Sequence, residues 1–77
     1  MYKIQQTKTI DGNEIIVRNY GKHKKLDEAV VHLLNIAKHA SMTLVIQVPK
    51  VIDNQFSYSV IDGTVITFKI IEICEKK

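Results

Sequence analysis

Three histidines, three serines, one cysteine and one dense basic run are the residues of this 77-residue chain whose types could do chemistry. His32 and His39 are seven apart, which on a helix is two turns and about 10.5 Å along the axis. One metal with Zn–N bonds of about 2.0–2.1 Å cannot hold both directly. Glu28 and His32 are at i and i+4 and could meet, but two ligands do not complete a site. No metal and no cofactor are expected. Glu28, His32, Asn35 and His39 share one stripe, which reads as the solvated face of a helix. Ser41, Ser57, Ser59 and Cys74 have no histidine beside them in sequence and no nucleophile elbow around them. Asp11, Asp53 and Asp62 stand where turns want Asp for backbone reasons. There is no glycine-rich phosphate loop. No catalytic residue is expected, and the chain does not read as an enzyme.

The basic run is Arg18-Asn19-Tyr20-Gly21-Lys22-His23-Lys24-Lys25. It holds four of the eleven Lys and Arg residues and no acid. The other seven face eight acids, so the formal net charge of +3 comes from this run. Arg18, Tyr20, Lys22, His23, Lys24 and Lys25 are the candidate anion- or partner-binding residues. Lys24 and Lys25 fall at the start of the expected helix, where the helix dipole is positive and an exposed cation costs roughly 0.3–1 kcal/mol. Asp27 and Glu28 offset part of that, and a bound anion would offset more. Tyr20 adds an aromatic face of the kind that nucleic-acid contacts use. A plain solubilising loop is the competing reading, and no RNA- or DNA-binding fingerprint is present.

Ten of the eleven cations are Lys, and isoleucine occurs twelve times. This bias resembles that of small proteins encoded by phages and mobile elements of low-GC bacteria. A single Arg, the residue of bidentate base and phosphate contacts, argues against a dedicated sequence-specific DNA reader. Cys74 is the sole cysteine, so no internal disulfide and no Cys-based zinc site can form within one chain. It reads as a half-buried, unreactive thiol in a strand and fits a reducing compartment. No stretch approaches the ~20 apolar residues of a membrane span, and the first residues lack a signal-peptide core. A soluble cytoplasmic protein is expected, with no membrane partner.

The elements that must position these residues follow from periodicity. Asp11-Gly12 and Asp62-Gly63 each separate strand-like segments and predict hairpins, because Asp-Gly supplies positive φ. The first pairs Tyr2–Ile10 with Glu14–Tyr20. Its polar first strand, Gln5 to Thr9, suits a sheet edge, and Ile15-Ile16-Val17 suits a more central strand. Leu26, Ala29, Val30, Leu33, Ile36, Ala37 and Ala40 mark one face of a helix over 26–40. Thr43–Val48, ended by Pro49, reads as a strand. The last hairpin pairs Gln55–Ile61 with Thr64–Ile73. Its apolar phase changes at Ile70-Ile71. A bulge there would return Ile71 and Ile73 to the buried face, whereas a continuous strand would expose them as an interface. The whole is one small α+β domain over 1–77, a single helix on one face of a mostly antiparallel sheet in the order ββαβββ.

The function that fits is a small non-enzymatic binding protein, a regulator or inhibitor that docks on another macromolecule, most naturally a protein. A homodimer is compatible with an exposed apolar strip. The alternative is a nucleic-acid-binding module that uses the basic loop 18–25.

Overall fold

The computed structural model describes residues 1–44 and 46–73; the reading of Cys74 lies outside them. The elements are β1 (Tyr2–Ile10), β2 (Asn13–His23), α1 (Leu26–Leu44), β3 (Gln55–Ser59) and β4 (Val65–Glu72). The four strands form one antiparallel sheet in the order β2-β1-β4-β3, with α1 packed on one face. The α+β architecture with a single helix is the expected one.

The turns form for the expected reasons. Asp11 and Gly12 both have positive φ, 52° and 81°, as a two-residue hairpin loop of the twist-matched type requires. At the second hairpin the Gly63 N–H donates to the Val60 carbonyl, and Gly63 has φ 88°. That is a type I turn followed by a left-handed residue. A third tight turn, Asp53-Asn54, also has positive φ at both positions and opens β3.

Two expectations about strands are corrected. The segment Thr43–Val48 is not a strand: α1 continues through Leu44, and 46–50 are irregular. Leu33, Ala37, Ala40 and Leu44 keep one helical phase, buried at Leu33 and Ala37 and open by Leu44, and the helix carries on through Thr43 despite its β-branched preference. The chain leaves the helix with Ser41 bonded twice to Ile46, through its carbonyl and its hydroxyl. Sheet position is also reversed. Polar β1 lies in the middle, between β2 and β4, and apolar β2 is an edge. β1 tolerates polar residues because only its even-numbered side chains meet the helix layer, where Ile4 is fully buried. Thr7 points to the other face yet is also buried. Register places it between Ile16 on β2 and Thr67 on β4, while Glu14 beside Thr9 and Lys69 beside Gln5 form a 3.8 Å ion pair across β1.

The core is Ile4, Leu33, Ala37, Phe56 and Phe68, with Tyr20, Ile36, Val51, Tyr58, Ile66 and Ile70 packed against it. Phe56 and Phe68 are cross-strand partners, and their rings stack at 5.1 Å. β4 pairs with β1 without a register shift, so the bulge at Ile70-Ile71 does not form. Ile70 faces Ile4 and the helix, and Ile71 lies on the open face beside Lys3. No described helix is long and apolar enough to cross a membrane.

Candidate functional site

The basic run occupies the second half of β2 and the two-residue turn into α1. Lys22, Lys24 and Lys25 are exposed and unconstrained by any salt bridge among the described residues. Arg18 is exposed, with its guanidinium 5.7 Å from the centre of the Tyr20 ring. That distance suits a cation–π contact. Tyr20 itself turns toward the helix, half-buried, with its ring 5.9 Å from Phe68 and its hydroxyl donating to Gln6 Oε1 at 2.8 Å. The sequence grouped Tyr20 with the cations as a free aromatic face; the structure makes it part of the core layer.

His23 closes β2 rather than lying in a loop. Its Nε2 lies 2.9 Å from His32 Nδ1, and the two rings meet edge to face. One of these nitrogens must carry the bridging hydrogen and the other must accept it. The pair ties the end of β2 to the second turn of α1. Gly21 makes the closure sterically feasible. It has φ 54° at a register shift between β2 and β1, and a Cβ there would stand 3.2 Å from His23 Nε2 and 3.3 Å from His32 Cε1. Burial, and then the neighbouring His23, hold His32 below the ordinary histidine range. No group of three metal-ligating side chains occurs among the described residues.

His32 also lines a groove of about 630 Å³ between the helix and the sheet. Tyr20, Tyr58 and Phe68 supply ring surfaces from the sheet. Ile36, Ala40, Thr43 and Leu44 supply the helix wall, and His32, Asn35 and His39 the polar rim. Burial, with a smaller contribution from Tyr20, pushes the Tyr58 hydroxyl above its usual range. On the stripe expected to be a solvated face, Glu28, Asn35 and His39 are exposed and His32 is half-buried, and the last three also form the lip of this groove. A 3.6-residue period could place the three on one line, but not reveal that the helix stands off the sheet there.

No family model, no curated protein and no solved structure matches this chain. Its chemistry is legible only from its own surface.

Three successive apolar residues are open on β2. Ile15, Ile16 and Val17 are 54%, 61% and 45% exposed. Ile15 pairs with Lys8 and Ile16 with Thr7, while a register shift between Gln6 and Thr7 leaves Val17 without a partner on β1. The bulged strand thus breaks the usual alternation of one face in and one face out. No described strand pairs with the outer edge of β2. Ile71 and Ile73, the expected interface, are both half-buried, and Ile73 donates its N–H to the Met1 carbonyl at 2.7 Å.

Proposed function

We propose that this is a small non-enzymatic binding protein that docks on another protein, as a regulator or inhibitor, through the β2 edge. The observation that carries the reading is the eleven-residue edge strand with Ile15, Ile16 and Val17 open on it. An unpaired edge offers a row of N–H and C=O groups to a strand of another chain, and natural proteins usually blunt such edges. Addition of a partner strand takes affinity from main-chain bonds and selectivity from side chains on alternate positions. Arg18 continues that edge, and Lys22, Lys24 and Lys25 extend it. A partner strand with an apolar centre and acidic residues toward one end is the complementary form.

The test is affinity capture from the source cell, with and without nuclease, comparing the native chain with Ile15→Lys/Ile16→Lys. The expected result is a specific protein whose capture survives nuclease and is lost in the double variant. Capture that nuclease abolishes, and that Lys22→Gln/Lys24→Gln/Lys25→Gln removes while the edge variant does not, would instead assign the surface to nucleic acid. Such binding would also fall steeply with salt.

A further inference from the structure

We propose that the groove between α1 and the sheet is a binding site for a small, flat aromatic anion of the arene-carboxylate class. The site is separate from the β2 edge: it lies under the helix, whereas the edge's free backbone groups point out of the sheet.

Shape comes first. About 630 Å³ falls in the range of roughly 300–1,000 Å³ typical of small-molecule sites. Ala40 is the short residue of the helix wall, and Tyr58 and Phe68 line the same space from the sheet. A larger residue at 40 would close it. The exposed lining is mostly apolar, with polar groups from His32, Asn35 and His39 on the helix and Gln6 on β1, which is the usual composition of a ligand site.

The lining also selects a ligand class. Tyr20, Tyr58 and Phe68 present ring faces and edges to the same space, and further rings gain most from offset or edge-to-face contacts with them. Charge adds the second element. The groove residues include no carboxylate, and the rim offers N–H donors from Asn35 and His39. Arg18 lies against Tyr20, one of the groove walls. Glu28 shares the helix stripe but does not line the groove. The local balance therefore favours a negative group at the lip and a ring below it.

The experiment is an NMR titration of the ¹⁵N-labelled chain with 2-naphthoate and, in parallel, with its neutral counterpart 2-naphthamide. The proposal expects saturable shifts at Asn35, His39, Thr43 and Tyr58, with a Kd of about 1 mM or tighter for naphthoate. The amide should bind about fivefold more weakly, the scale of one exposed charge contact. Ala40→Phe should abolish both while leaving the circular dichroism spectrum unchanged. His39→Glu, at an exposed position that accepts any good helix former, should weaken naphthoate by a similar factor and leave naphthamide alone. It keeps the test open if Ala40→Phe fails to fold. Absence of saturation through about 5 mM, equal affinity for the two probes, or shifts confined to β2 would each overturn the proposal.

Discussion

Phe56, Phe68 and Ile4 of the sheet and Leu33 of α1 form one buried cluster, whereas Ile15, Ile16 and Val17 on β2 have no layer of side chains against them. Both sets are strongly apolar, and both draw on strands of the same sheet. The difference is in what holds each strand. β3 and β4 are fixed by rings stacked across the strand pair. β2 is held by backbone pairing to β1, by Tyr20 and by the His23–His32 contact at its end. One region spends its apolar surface on stability; the other leaves it available.

The sharpest way to break that contrast is to remove a core side chain. Leu33→Ala should cost about 2–5 kcal/mol, enough to unfold much of a domain of this size, as denaturant melts would record. If it cost no more than a surface change, the packed half would not be the seat of stability.

Gly21→Ala comes next. It places an L-residue at φ 54°, which costs about 1–2 kcal/mol, and crowds both histidines. The loss should appear in thermal melts together with faster hydrogen exchange along 18–23. Exchange that rose equally in β3 would show that β2 is not a separately held region.

The pH dependence sharpens the same point with a smaller effect. His32 has a folded-state pKa below its ordinary value of 6.5, so the unfolded chain binds its proton more readily. Its contribution to stability is complete above about pH 6.5 and is lost as pH falls from there through the lowered folded value. Melting temperatures measured from pH 8 to pH 5 should therefore drop on the acid side. His32→Gln should flatten that slope, and an unchanged slope would remove the histidine pair as its source.

Least costly of all, Ile16→Lys should alter stability by no more than about 0.5 kcal/mol. Urea melts check this. A larger loss would mean that the edge residues are packed after all.

Much of this contrast was legible in the residues themselves. Asp11-Gly12 and Asp62-Gly63 announced both hairpins, and the spacing of Ala29, Leu33 and Ala37 announced the buried helix face. The rank of the strands was not legible. Gln5 to Thr9 looks like an edge because polarity reports how many faces of a strand are covered, not how many neighbours it pairs with. β1 has two neighbours and one wet face. The end of the helix was hidden because Thr43 suits a strand locally, while Leu44 belongs to a stripe that begins eleven residues earlier. Of the candidate site, the exposure of Lys22, Lys24 and Lys25 follows from their charge. The tie between His23 and His32 does not, since it depends on how closely β2 and α1 approach at a glycine of positive φ.

The strand order carries a consequence for the growing chain. β1 and β2 can close their hairpin as soon as they leave the ribosome, but the second side of β1 pairs with β4, which is made more than fifty residues later. Until then the centre of the finished sheet is a temporary boundary, at risk of joining the wrong chain. Gln5, Gln6, Thr7, Lys8 and Thr9 give that boundary the polar character that discourages such errors. A strand that ends its life in the interior keeps the composition of one that begins it outside.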